Sequence, residues 1–154
     1  GAEPVIAIDP VPDKRALALE LGARAAVAPE DVEAAFAAHG APRVAIESVG
    51  KGAVLAQAWR TAARGGRIVT VGLPNPADPF TIPAVSPVAE AKTLIGSYMG
   101  SSVPARDIPR YIALWRAGRL PVDRLLSGVR PLAEINAALD ALASGQAVRQ
   151  ILVP

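Results

Sequence analysis

Few side chains in this 154-residue sequence are placed to do chemistry. Val5-Ile6-Ala7-Ile8 is a short apolar, β-rich run that ends on one acid, Asp9. A carboxylate at the tip of a parallel strand can accept both hydroxyls of a cofactor ribose and repels a 2′-phosphate. The glycine-rich turn that belongs about twenty residues before such an acid is not present, because the sequence begins at Gly1. Taken alone, Asp9 also reads as a plain acid leading a helix behind Pro12. Arg149 stands in an apolar strand, where a charge wants a partner, and a structural ion pair is its simplest reading. His39, the only histidine, sits beside Gly40 at a helix end that its charge suits, and nothing near it in sequence completes a metal site. There is no cysteine, which excludes disulfides and thiolate metal sites. Ser101-Ser102 has no adjacent base, so a nucleophile reading is poor.

The composition fits one compact domain with a real core: 51% of residues are hydrophobic and mean hydropathy is +0.32. Net charge is +2, the arginines are scattered, and aromatics are only 4%, which argues against nucleic-acid binding. No apolar run approaches the roughly 18 residues of a membrane helix. The sequence does not open with a charged start, an apolar core and a cleavage site, so a secretory leader is not expected and the expected compartment is the cytoplasm.

The elements that must position these residues alternate. Pro12 to Leu21 reads as a helix stopped by Gly22. Ala25 to Ala28 is a weak strand, Glu30 to Ala38 a helix, and Arg43 to Ser48 a third strand. Gly52 to Arg64 carries Val54, Leu55, Ala58, Trp59 and Ala62 on one helical stripe, and Gly65-Gly66 ends it. Arg67 to Gly72, RIVTVG, is the clearest strand. Strands alternating with helices predict right-handed crossovers and a parallel sheet. Leu73 to Ala91 then carries five prolines (74, 76, 79, 83 and 87) and no helical period, which predicts an extended excursion with Pro79 to Pro83 as a possible edge strand. Lys92 to Tyr98 returns as a strand. Asp107 to Ala117 is a helix with Ile108, Tyr111, Ile112 and Trp115 inward. Leu132 to Ala143 is another, with Leu132, Ile135, Leu139 and Leu142 as its stripe. Val148 to Val153 closes the chain as a strand.

These residues carry a resemblance. From Val5 onward the chain resembles the second half of a zinc-dependent alcohol dehydrogenase of the medium-chain dehydrogenase/reductase superfamily. The most specific stretches are KTLIGSYMGSSVPARDIPRYIALWRAGRLPVDRLL and PLAEINAALDALASGQAVRQILV. Their order, a GS-aromatic turn, a DIP helix, an AGRL break, a PL-x-x-IN helix and a terminal arginine-bearing strand, is similar to the class III, formaldehyde-dehydrogenase-like branch.

The resemblance implies an α/β fold: an incomplete doubly wound, Rossmann-like, mostly parallel sheet with flanking helices. It would lack its first strand and glycine-rich turn, so that residues 1–154 form a partial dinucleotide-binding domain with the C-terminal segment included. It further implies NAD as cofactor. Asp9 and Lys14 would bind the adenosine ribose, with Val49 packed on the adenine beside Lys51. Val71, Gly72 and Leu73 would lie beneath the nicotinamide, with Ser97 and Met99 holding the carboxamide through backbone groups. Arg149 would meet the pyrophosphate. The chemistry suits these roles: a guanidinium binds phosphate oxygens bidentately, and a strand-end glycine admits a flat ring. Without the resemblance, Lys14 is a solvated helix residue, Val49 and Leu73 are core, Gly72 merely ends a strand, and Trp59 and Trp115 are core.

In the resemblance, zinc and an alcohol or aldehyde substrate belong to an N-terminal catalytic domain whose Cys and His ligands this sequence lacks. The sequence is therefore read as a fragment, inactive alone, of a zinc-type NAD-dependent enzyme. The alternative is a non-catalytic α/β nucleotide-binding or assembly module. Removing the central strand leaves its two neighbours short of partners. Disorder near residues 1–29, direct pairing of the two strands, or a segment donated by another chain are the expected remedies. The resemblance also implies a two-fold homodimer through Pro79–Val85 and Lys92–Met99, because Phe80, Ile82 and Val85 could not all find cover in one small domain.

Overall fold

A computed structural model describes residues 2–154. The chain divides into two compact units, Gly1–Ser102 and Val103–Pro154.

In the first unit β1 (Ile6–Ile8), α1 (Pro12–Glu20) and β2 (Ala25–Val27) form a βαβ unit, with Ile6 opposite Ala25 in a parallel pair. A single 3-10 turn at Pro29–Asp31 leads into α2 (Val32–His39). β3 (Val44–Glu47), α3 (Gly52–Thr61), β4 (Arg67–Thr70), α4 (Ser86–Glu90) and β5 (Thr93–Gly96) follow. β3, β4 and β5 make a parallel sheet in that order, with Ile68 opposite both Ala45 and Leu94. The helical stripe read from the sequence is the core. Leu55, Trp59 and Ala62 of this stripe close over Ile68, which is fully buried. Burying a side chain the size of Leu55 or Ile68 stabilises by about 1.5–3 kcal/mol. Gln57 ties α3 to the earlier elements by donating to the Pro29 carbonyl at 2.9 Å.

Several expectations are corrected. Residues 2–29 form β1, α1 and β2 rather than a disordered stretch, and among the described residues β1 pairs with β2 alone, with no ladder to β3. Pro79 to Pro83 is not a strand, and the proline-rich excursion contains α4, whose Pro87 is tolerated because it lies in the first turn. Phe80 and Ile82 do find cover in their own chain, packed on the Leu55–Trp59–Ala62–Ile68 cluster, while Val85 stays exposed. Val49 and Leu73 are not core: they are 60% and 79% exposed.

The second unit holds α5 (Pro104–Arg116), β6 (Leu126–Pro131), α6 (Ile135–Ala143) and β7 (Arg149–Val153), with β6 and β7 parallel. α5 starts three residues before the predicted Asp107. Pro104 opens the helix, and Asp107 reaches back to accept the Val103 N–H at 2.9 Å. β6 is the strand the sequence reading missed, because LSGVRP mixes serine, glycine and proline and carries a register shift between Leu126 and Gly128. The predicted inward residues of α5 are about half exposed, with Trp115 at 46%, and Leu132, Ile135, Leu139 and Leu142 are likewise exposed. One two-stranded sheet offers too little surface within this unit to cover two apolar stripes. Among the described residues no helix is long and apolar enough to cross a membrane.

Candidate functional site

The site residues of the first unit lie where parallel strands end. Asp9 follows β1 and receives its place from β2: its amide donates to the Val27 carbonyl at 3.1 Å. Its Oδ1 accepts the Val11 N–H at 2.8 Å, which closes the turn into α1. Arg15 locks the same turn, its guanidinium donating to the carbonyls of Asp9 at 2.7 Å and Pro10 at 2.9 Å. Asp9 is half-buried, and its Oδ2 has no partner among the described residues. A rigidly held carboxylate with one free oxygen is a hydroxyl acceptor in waiting. Lys14, in the first turn of α1, is half-buried.

A second acid, Glu47, ends β3 and is buried. Its Oε1 accepts the N–H groups of Val49 and Gly50, both at 2.7 Å, and its Oε2 accepts the Thr70 hydroxyl at 2.7 Å. Its carbonyl takes the Val71 N–H at 2.8 Å. The turn holding Val49 and Lys51 is thereby fixed to the turn holding Val71, Gly72 and Leu73. Gly50 adopts φ +73°, and the two turns touch backbone to backbone.

The start of α3 is closed from a distance. Asp78 Oδ2 accepts the Gly52 N–H at 2.8 Å, supplying the N-terminal cap that Lys51 does not. A Cβ on Gly52 would strike the Pro79 carbonyl oxygen at 2.2 Å, so the proline-rich excursion lies directly over this helix start.

Ser97 joins the group through its backbone, its amide donating to the Thr70 carbonyl at 3.0 Å. Met99 is 78% exposed, and Met99, Gly100 and Ser101 all take positive φ. A left-handed non-glycine residue is uncommon and costs about 1–2 kcal/mol, so the turn that ends the first unit is backbone-strained at Met99 and Ser101. Arg149 belongs to β7 of the second unit. It is exposed, donates only to the Val148 carbonyl at 3.3 Å, and has no ion pair among the described residues, which corrects the paired reading.

The structure thus gathers Val49, Lys51, Val71, Gly72, Leu73 and Ser97 around the ends of β3 and β4, and sets Asp9 and Lys14 at the end of β1. Sequence reasoning passed over Glu47, Thr70 and Asp78. Glu47 carried a readable signal, an acid at a strand tip before the glycine-containing turn SVGKG, the same pattern that drew attention to Asp9. Asp78 carried none, since its partner lies 26 residues away. Among the described residues no three His, Cys, Asp or Glu side chains gather as a metal site. The residues present do not fit zinc, and none of their chemistry runs through it.

Parallel strands, flanking helices and functional loops at the strand ends define an α/β protein of the Rossmann-like kind. The chain belongs to the zinc-binding dehydrogenase family, whose sequence profile matches residues 1–116, within the medium-chain dehydrogenase/reductase superfamily. It is 36% identical to a geraniol dehydrogenase of Castellaniella defragrans, over 99% of this chain and 42% of that protein. It is 35% identical to an NDMA-dependent alcohol dehydrogenase of Amycolatopsis methanolica, over 99% of this chain and 43% of the relative. Among solved structures, an alcohol dehydrogenase zinc-binding domain protein from Burkholderia ambifaria superposes with a TM-score of 0.92 at 36% identity, over 100% of this chain and 43% of that one. Benzyl alcohol dehydrogenase from Acinetobacter calcoaceticus superposes with a TM-score of 0.91 at 28% identity, over 99% and 43%. The chain therefore spans less than half the length of these relatives.

Proposed function

We propose that this chain is the cofactor-binding part of an NAD-dependent alcohol dehydrogenase that passes hydride between an alcohol or aldehyde adduct and the nicotinamide. The observation that carries the reading is Asp9: one carboxylate oxygen is anchored on the Val11 N–H and the other is free at the end of a parallel strand. The similarity to several alcohol dehydrogenases supports the reaction class. NAD, when bound, supplies the hydride acceptor. This chain's residues hold it: Asp9 and Lys14 at the adenosine ribose, Val49 and Lys51 beside the adenine, Val71, Gly72 and Leu73 beneath the nicotinamide. The backbone of Ser97 and Met99 meets the carboxamide, and Arg149 meets the pyrophosphate. Zinc, the proton relay and the alcohol site belong to parts of the full protein outside this chain, and residues 1–154 alone are inactive and bind NAD weakly. The class III branch rests on the GS-aromatic turn, the DIP helix and the PL-x-x-IN helix alone.

We also propose a two-fold homodimer. Among the described residues β5 is paired only with β4, all four of its residues are exposed, and Tyr98 and Met99 beyond it are exposed as well.

The test is titration calorimetry of the full gene product with NAD and NADP. NAD is expected to bind at least about tenfold more tightly, a difference of about 1.4 kcal/mol, because Asp9 repels the 2′-phosphate. Asp9→Gly is expected to erase most of that preference. Equal affinity of the unaltered protein for the two cofactors would overturn the assignment of Asp9. Binding of neither would leave the non-catalytic module as the better reading.

A further inference from the structure

Among the described residues of the first unit, Glu47 is the one acid that is buried, and no cation pairs with it. A buried carboxylate without a counter-ion is costly unless hydrogen bonds satisfy it. Here three donors do so, the N–H groups of Val49 and Gly50 on one oxygen and the Thr70 hydroxyl on the other. The donors come from two different strand ends: Val49 and Gly50 follow β3, and Thr70 closes β4. Resting on the cofactor-binding reading above, we propose that Glu47 is a positioning residue for the dinucleotide. It clamps the turn beside the adenine to the strand end beneath the nicotinamide, so that the two halves of the cofactor meet loops held at one fixed separation.

The chemistry distinguishes this clamp from a generic buried acid. Glu47→Gln would keep it: the amide oxygen accepts both backbone N–H groups, and the amide nitrogen donates to Thr70 Oγ1, whose hydroxyl can turn to accept. Glu47→Asp is one methylene too short to reach both ends. Glu47→Ala leaves two backbone donors unpaired. In a Thr70→Val background, Glu47→Gln buries an NH2 group against a methyl, so the same substitution turns from tolerated to harmful.

The experiment measures binding of NAD and of AMP to the full gene product by calorimetry, with thermal melts alongside. AMP occupies the adenine side only, whereas NAD spans both turns. Glu47→Ala and Glu47→Asp are expected to raise the Kd for NAD about tenfold and the Kd for AMP by a clearly smaller factor, since AMP meets the loosened adenine turn but not its separation from the second turn. Glu47→Gln alone is expected to stay within about threefold of the unaltered protein for both, and Glu47→Gln with Thr70→Val to lose NAD affinity as Glu47→Ala does. General loss of fold would weaken both ligands together. Equal losses for NAD and AMP, or Glu47→Gln as damaging as Glu47→Ala, would overturn the clamp while leaving the cofactor reading intact. Failure of the unaltered protein to bind either nucleotide would overturn both. If Glu47→Ala and Glu47→Asp do not fold, Glu47→Gln with and without Thr70→Val still decides.

Discussion

Gly72 crosses Gly50 so closely that a Cβ on Gly72 would lie 2.2 Å from the Gly50 amide nitrogen and 2.5 Å from its Cα. The obstacle is backbone, which cannot rotate away as a side chain can. The two turns that follow β3 and β4 are therefore packed main chain on main chain. Gly72→Ala is expected to destabilise the chain by about 1–3 kcal/mol, the usual range for overpacking. Urea unfolding at constant slope is the measurement, and a variant as stable as the parent would show that the turns are free to part.

Trp59 anchors the layer beneath those turns. Its indole N–H donates to the Ser86 hydroxyl at 2.8 Å, the ring meets Phe80 edge-on, and its carbonyl accepts from Lys92 Nζ at 2.8 Å. Lys92 is buried and paired with Glu90, whose carboxyl it holds below the ordinary Glu value. Trp59→Phe leaves Ser86 without this donor and leaves space where the indole was. The expected cost is about 1–3 kcal/mol, read as a lowered denaturation midpoint. Lys92→Met removes a buried donor from the Trp59 carbonyl and is expected to cost a similar amount. A Trp59→Phe variant of unchanged midpoint would mean that the Ser86 bond contributes nothing.

The sequence made this core legible and left the clamps out of view. Leu55, Trp59 and Ala62 recur at helical spacing, and RIVTVG is apolar throughout, so local pattern alone locates α3 against β4. Asp9 was legible because it ends an apolar run. Glu47 ends one too, but its role depends on Thr70, 23 residues on, and on a turn geometry that no local pattern encodes. Periodicity misled at α5: Ile108, Tyr111, Ile112 and Trp115 do share a stripe, but a stripe says that a helix is amphipathic and not that its own unit covers it.

In the second unit, Asp107 is expected to make stability depend on pH. Its carboxyl is held below the ordinary range, first by the Arg106 guanidinium at 2.6 Å and then by the Val103 N–H. A depressed carboxyl stabilises the fold above its unfolded value, about 3.9, and the benefit is lost as pH falls through the lower folded value. Asp107→Asn is therefore expected to melt lower than the parent at neutral pH, with the gap closing as pH drops below about 4. Because Arg106 is half exposed, salt should narrow part of the gap. Circular-dichroism melts across pH check this, and a gap that persisted in acid would show that the carboxylate's charge is not what holds the helix start.

The last prediction concerns the open edge of β5. The amides of Thr93 and Ser97 donate inward, to the carbonyls of Gly66 and Thr70, both at 3.0 Å. Alternation along a strand then turns the Leu94 and Gly96 amides outward, where β5 has no further neighbour among the described residues. An unpaired row of this kind is a template for a second copy of itself. Lys92 precedes β5, and its side chain is committed to Trp59 and Glu90. The proposed interface therefore narrows from Lys92–Met99 to Thr93–Met99. Pro79–Val85 contributes less than the sequence suggested, since Phe80 and Ile82 face their own core. Leu94→Pro deletes an outward donor and leaves the inward ladder to β4 intact, a strand position where proline is tolerated. Sedimentation of the full gene product at micromolar concentration is expected to show a dimer that Leu94→Pro converts to monomer with little change in melting temperature. A monomeric parent would refute the dimer, and a dimer indifferent to Leu94→Pro would place the contact on another surface.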